Sequence, residues 1–365
     1  MTPRRENVGN VSGMRLAADY SEARARFLDL ANAAGARVEH HDHPLRGPAG
    51  EALATDVAVL GRPDAPARLL VMSGTHGVEG FAGSACQQGW LASPPPLPDD
   101  LAVVFVHAIN PYGFAWIRRV NEDNVDLNRN CIDFAVGLPV NQGYDRLADV
   151  LVPERWDEET QRTSAGAMLT FAAEAGFDRL QAAVSSGQYR HPKGIFFGGT
   201  QPVWSQRTLG SIVAAALSGA RRVGVLDLHT GLGPFGHGEL IASRPDESGR
   251  ARLEAWFGEH RVPSMGNSVS SDVTGDLLDA IERWLPGTEV GAVAVEWGTV
   301  DIRAVSDALR ADAWLHAHSD PRGPRAAAIK AQVRTAFAPD DPDWAAMVWD
   351  RFDELRCRAL SSITR

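Results

Sequence analysis

Four apolar runs constrain this chain most: ARLLVMSG (67–74), LAVVFVHAIN (101–110), RRVGVLDLHTG (221–231) and VGAVAVEWGT (290–299). Each is strand-length, and none shows the alternation of a half-exposed strand. Strands covered on both faces read this way, in sheets with helices packed on either side. Stretches of helical period lie between the runs, with no internal repeat and no linker-like segment. The pattern predicts an α/β fold: residues 1–19 as a polar N-terminal arm, then a single domain over 20–365 with a mostly parallel or mixed central sheet flanked by helices. In open sheets of this kind ligands bind beyond the carboxyl ends of the strands. His76, Asn110, His229 and Glu296 each stand at or just after the end of a run.

Local signals fill in the rest. Ser21 is placed to cap a helix carrying Ala23, Phe27, Leu28, Leu30 and Ala31 that ends near Gly35. In VEHHDHP (38–44) the histidines His40, His41 and His43 read as alternation in an edge strand rather than as a metal tract. DVAVLG and ARLLVMSG, joined by RPDAP (62–66), predict a hairpin. HGELIAS (237–243) predicts a short further strand. Helices are expected through most of 144–187, over 204–218, 246–259 and 274–284, and from about 301 onward with a break at PRGPR. The segment YGFAWIRRVNEDNVDLNRN (112–130) is a long polar loop, which inside a compact domain is uncommon and usually functional.

A hydrophobic content of 44% and a charged content of 22% suit a soluble globular enzyme, and the net charge of −10 argues against a general binder of nucleic acid or anionic membrane. Cys86, Cys131 and Cys357 are odd in number and scattered, as in a reducing cytoplasm. The N-terminus has arginines but no apolar run behind them, and no apolar stretch is long enough to span a bilayer. Cytoplasmic location is the expectation.

The chemistry gathers at RLLVMSGTHGVEG (68–80). His76 and Glu79, three apart at a turn, offer two ligands for a zinc-like ion. A catalytic site of this type takes three protein ligands and keeps one open position, and His229 in LDLHTG is the best third candidate. Any one histidine alone reads equally well as a hydrogen-bonded loop residue. Glu296, after a mostly apolar run, is placed as the base, since partial burial raises a carboxyl's pKa; its plain alternative is an ion pair with an arginine. Arg119 and Arg129 can each hold an oxyanion or a substrate carboxylate with a planar fork. Asn128 can donate beside them, and Asp126 can orient a ligating histidine through its other nitrogen. Arg118 reads as a solvated surface charge, His107 as a satisfied core histidine and His191 as a candidate in name only.

With these residues in place the sequence resembles the M14-type zinc carboxypeptidase superfamily, including its succinylglutamate desuccinylase/aspartoacylase-like branch, and most closely the DUF2817 proteins. GTHGVEG is similar to the His-x-x-Glu zinc motif. NPYGFAWIRRVNEDNVDLNRN is similar to the long Asn-Pro … Asp-x-Asn-Arg segment, LDLHTG to the third-ligand strand and AVEWGT to the catalytic-glutamate strand. The motifs run in order over residues 70–300. The resemblance implies one zinc ion per chain on His76, Glu79 and His229, with Glu296 as general base and acid. It also implies that Arg119 holds the oxyanion, that Asn128 and Arg129 grip a substrate carboxylate and that Asp126 supports His76.

One departure matters. The family's peptidases place a capping tyrosine between the third ligand and the glutamate, and here no tyrosine follows Tyr189. The expected function is hydrolysis of an amide bond next to a free carboxylate, in a short peptide's C-terminal residue or an N-acyl amino acid. The alternatives are an esterase or deacylase whose small substrate lacks that carboxylate, and a non-catalytic metal-binding protein.

Overall fold

In the computed structural model, which describes residues 14–243 and 245–365, the four apolar runs become the four central strands of a seven-stranded sheet. The strands are β1 (Arg37–Arg46), β2 (Ala52–Leu60), β3 (Ala67–Ser73), β4 (Leu101–His107), β5 (Arg222–Phe235), β6 (Gly238–Ile241) and β7 (Glu289–Gly298), in the spatial order β1-β2-β4-β3-β5-β7-β6. The inner four, β4, β3, β5 and β7, are mutually parallel; β1, β2 and β6 are added antiparallel at the edges. The sheet is mixed with a parallel centre, as expected. Every residue of β3 and β4 is buried, which is why neither shows polar alternation.

Among the described residues ten helices have eight residues or more: α1 (Tyr20–Ala33), α2 (Gly80–Ala92), α3 (Glu158–Ala175), α4 (Phe177–Ser185), α5 (Trp204–Ala216), α6 (Glu247–Trp256), α7 (Leu277–Trp284), α8 (Ile302–His318), α9 (Ala326–Phe337) and α10 (Pro342–Ser362). They sandwich the sheet. Leu69, Val71, Phe105 and Val293 face a layer holding Phe27, Trp90, Trp256 and Phe352 from α1, α2, α6 and α10. Leu70, Met72, Val104 and Val225, one residue out of phase, face Leu209 and Ile212 of α5 and Leu278 and Ile281 of α7. Full burial of each such side chain stabilises by about 1.5–3 kcal/mol. A third cluster, including Phe114, Leu315, Val333 and Phe337, brings α8 and α9 against the loop segments.

Three local expectations are corrected. The RPDAP segment does not close a hairpin, because β4 lies between β2 and β3 and pairs with both. A turn signal fixes that the chain reverses, but the partners of a strand follow from which edges must be covered. The cap of α1 is Asp19, whose carboxylate accepts the Glu22 N–H at 2.8 Å, rather than Ser21. The earlier start lets Tyr20 sit buried with its hydroxyl on the Ala54 backbone. Of the arm expected over 1–19, residues 1–13 lie outside the described residues, while Met14 and Leu16 pack on the core and Ala17 is buried. The histidine-bearing stretch is an edge strand as read, with His40 Nδ1 2.6 Å from Asp56. Cys86, Cys131 and Cys357 are all free thiols, and no helix among the described residues is long and apolar enough to cross a membrane.

Candidate metal centre

The centre forms at the carboxyl ends of β3, β5 and β7. Beyond β3 the chain turns through Gly74 (φ +66°), where a side chain would collide with Ala108 Cβ at 2.7 Å. A single 3₁₀ turn follows over Gly77–Glu79, with His76 as its N-cap. Residues three apart on such a turn eclipse one another. His76 Nδ1 therefore lies 2.9 Å from Glu79 Oε1. His229, on β5, brings its Nδ1 to 2.8 Å from Glu79 Oε2 and 3.2 Å from His76 Nδ1. The three are fully buried, and their ligand atoms lie within 4.8 Å of one another.

The opposite nitrogens test the fit to a metal. His76 Nε2 faces Asp126 Oδ1 at 3.1 Å and His229 Nε2 faces Asp227 Oδ2 at 2.8 Å. A carboxylate behind each imidazole is placed to take a proton on Nε2 and so leave the Nδ1 lone pair for an ion, the usual support of a ligating histidine. Two imidazoles and one carboxylate around a common point suit a divalent ion of the zinc type. Asp126 was expected from the sequence. Asp227 was not, although it stands two residues before His229 and so on the same face of the strand; a lone acid inside an apolar run was the available signal. Thr75 Oγ1 donates to its other oxygen at 2.7 Å.

Electrostatics bind the cluster together. Burial alone would raise Glu79 and Asp126, but the imidazoles around Glu79, and Arg119 and His76 beside Asp126, hold both carboxylates well below the usual range. Burial would lower His229, yet Asp227 and Glu79 raise it well above an ordinary histidine. Glu296 stands apart: burial and the charge of Glu79 push its carboxyl up to about 8. It is the register partner of His229 across the β5–β7 pair, and its Oε1 accepts the Leu232 N–H at 2.9 Å. On its other side, in register on β6, is Glu239, which accepts from Ser268 Oγ at 2.7 Å and Val269 N at 3.0 Å and so ties down the 268–269 loop.

Arg119 reaches the centre, donating to Glu79 Oε1 at 3.1 Å and Asp126 Oδ2 at 3.0 Å. Arg129 is buried behind it, and both guanidiniums lie against the ring of Phe196, at 5.3 and 5.5 Å from its centroid. Phe196, at φ +55°, was not singled out in the sequence. Arg129 is already engaged: Nε and Nη2 donate to Ser185 O at 3.1 and 2.5 Å, and Nη1 to Asn128 O at 2.9 Å. Asn128 Oδ1 accepts the Leu277 N–H at 3.3 Å, at the start of α7. A cavity of about 400 Å³ shares the Gly187 wall with Arg129 and is lined by Val140, Asn141, Gln142, Ser186, Tyr189 and Thr274.

Other expectations resolve by position. Tyr189 does not reach the centre; its hydroxyl donates to Arg129 O at 2.6 Å. Arg118 is no surface charge. It is 2% exposed and donates to Asp312 Oδ2 on α8 at 2.9 Å, a contact that local reading does not show, and to Asn124 Oδ1 in its own loop at 2.8 Å. His107 is a core residue held by Ser84 Oγ at 2.8 Å, and His191 pairs with Asp145 at 2.7 Å.

No curated protein matches the chain by sequence. Among solved structures the chain is similar to a carboxypeptidase A from Helicoverpa armigera, at 13% identity and TM-score 0.46, over 92% of this chain and 78% of that one. It is similar to an aspartoacylase family protein from Mesorhizobium loti at 15% identity and TM-score 0.37, over 72% and 61%. With a murein-tripeptide amidase from Escherichia coli O157 the values are 15% and 0.33, over 78% and 93%. Similarity at this level carries no functional argument. The family model described as "Protein of unknown function (DUF2817)" matches residues 16–351, and the chain belongs to that family.

Proposed function

We propose that this chain is a zinc-dependent hydrolase that cleaves an amide bond beside a free carboxylate, in the C-terminal residue of a short peptide or in an N-acyl amino acid. The observation that supports it most is the pairing of the buried His76–Glu79–His229 set with a high-pKa carboxyl, Glu296, on the adjoining strand. A zinc-type ion on His76, Glu79 and His229 would supply Lewis acidity to the carbonyl and acidify water. Glu296 accepts the proton of the attacking water on the oxygen not held by Leu232, and hands it to the leaving nitrogen as the C–N bond breaks. A cation bound beside it would draw that raised pKa down toward the range of a base, and the protonated form then serves as the acid of the second half. Arg119 stands beside Glu79 and donates to the oxygen that gains charge as the carbonyl becomes tetrahedral. Asn128 and Arg129 take the substrate carboxylate, and the neutral, partly polar cavity beside Arg129 takes the side chain that carries it.

The deciding experiment measures the metal content of the purified protein and its cleavage of dipeptides and N-acyl amino acids, with and without chelator. About one zinc per chain and chelator-sensitive release of an amino acid are expected; protein that binds no zinc when supplied with it would overturn the reading. One observation favours a second reading. Because Nε and Nη2 of Arg129 already hold Ser185 O, the fork is less free to clamp a carboxylate, as suits a deacylase or esterase acting on small substrates without one.

A further inference from the structure

We propose that Arg118, Asp312 and Lys330 are positioning residues that aim Arg119 and hold the metal-binding turn; the inference rests on the metal reading for its catalytic consequence, not for its geometry. Consecutive arginines here part company. Arg119 points into the centre, while Arg118 runs away from it to Asp312 on α8. The chain enters the pair through Ile117, a β-branched residue at φ +50°. Such a conformation persists only where the surroundings over-determine it. The ion pair of Arg118 with Asp312 supplies that hold: both residues are under 5% exposed. On α9, Lys330 Nζ donates to Asp312 Oδ1 at 2.5 Å and faces His316 Nε2 at 2.9 Å. A buried charge triad of this kind is weak support for stability but costly to break, and its best use is to fix one arrangement.

What it fixes is the turn. Val78 donates its N–H to Arg118 O at 2.8 Å, and Gly77 to Arg119 O at 3.0 Å. The backbone of the arginine pair is therefore the floor on which the His76–Glu79 turn rests. The same helix α9 meets the centre again at its other end, where Phe337 O accepts from Thr230 Oγ1 at 2.5 Å and Ala336 O from Thr299 Oγ1 at 2.6 Å. Thr230 follows His229, and Thr299 lies three residues after Glu296. One helix thus grips the turn, the third ligand's strand and the base's strand together.

The test uses Arg118→Met, Asp312→Asn and the milder Lys330→Met, which leaves the Arg118–Asp312 pair in place. In metal-free protein the Gly77 and Val78 amides should exchange with solvent about tenfold faster or more, with β3 unchanged. Zinc affinity and kcat should fall about 10–100-fold, the scale seen when supports of a metal site are removed, with KM changed less than threefold. Arg118→Lys should recover part of both. If any variant that keeps wild-type circular dichroism shows unchanged exchange at Gly77 and Val78, the inference is overturned, and Lys330→Met supplies that result should the other two fail to fold. A wild-type chain that binds no zinc would instead sink the metal reading and leave the exchange experiment to decide this one.

Discussion

His229 and Glu296 stand directly opposite each other on neighbouring parallel strands, so one row of the sheet carries an imidazole of the candidate metal-binding set and a buried carboxyl side by side. That adjacency separates the two jobs. Glu79 is engaged by both imidazoles and by Arg119, while Glu296 lies outside that hydrogen-bond network, on the Leu232 N–H. Glu296→Gln should therefore lower kcat by about 10²–10⁴, the range for loss of a general base, while bound zinc stays close to one per chain. Turnover near the wild-type rate would remove Glu296 from the mechanism.

Asp227 gives a prediction on metal affinity. It faces His229 Nε2 at 2.8 Å, and among the described residues no other group is hydrogen-bonded to that nitrogen. Asp227→Ala should weaken zinc by about 10–100-fold, read by chelator competition. Asp126→Ala should do the same through His76, with a further loss of turnover because Arg119 also donates to Asp126.

Arg129→Ala separates the two readings of the substrate. If the guanidinium takes a carboxylate, KM for N-acyl amino acids should rise about 10–100-fold, as for a lost charge-assisted pair, and KM for neutral esters should hardly move. Equal effects on both would assign Arg129 to holding the Ser185 segment alone. Steady-state kinetics on matched acid and ester substrates settles it.

His107 sets a pH dependence of stability away from the centre. Burial lowers it from 6.5 to about 4, and among the described residues its Nδ1 has no hydrogen-bond partner. Below pH 6.5 the unfolded chain binds a proton that the folded chain refuses. Stability should therefore fall as pH drops from about 6.5 toward 4, and this group should add no slope above 6.5. Between pH 6.5 and 5 the loss is about 2 kcal/mol. Urea midpoints at pH 7.5, 6 and 5 should show it, and His107→Phe should flatten the slope.

The sequence by itself determined what local composition can determine. Runs such as LAVVFVHAIN have no polar face to give to water, so they had to be inner strands. Residues at the ends of such strands share one edge of the sheet, so His76, His229 and Glu296 were legible as a group before any coordinate was known. Asp126 followed from the need of a ligating histidine for a carboxylate behind it. What only the tertiary structure decided were choices among partners distant in sequence. The two strands flanking RPDAP are parted by β4, which pairs antiparallel with β2 and parallel with β3. Arg118 and Arg119 have the same side chain and adjacent positions, yet one is buried on Asp312, 194 residues away, and the other is aimed at Glu79. Periodicity fixes which face a residue occupies, but the partner it meets there depends on how the helices close over the sheet.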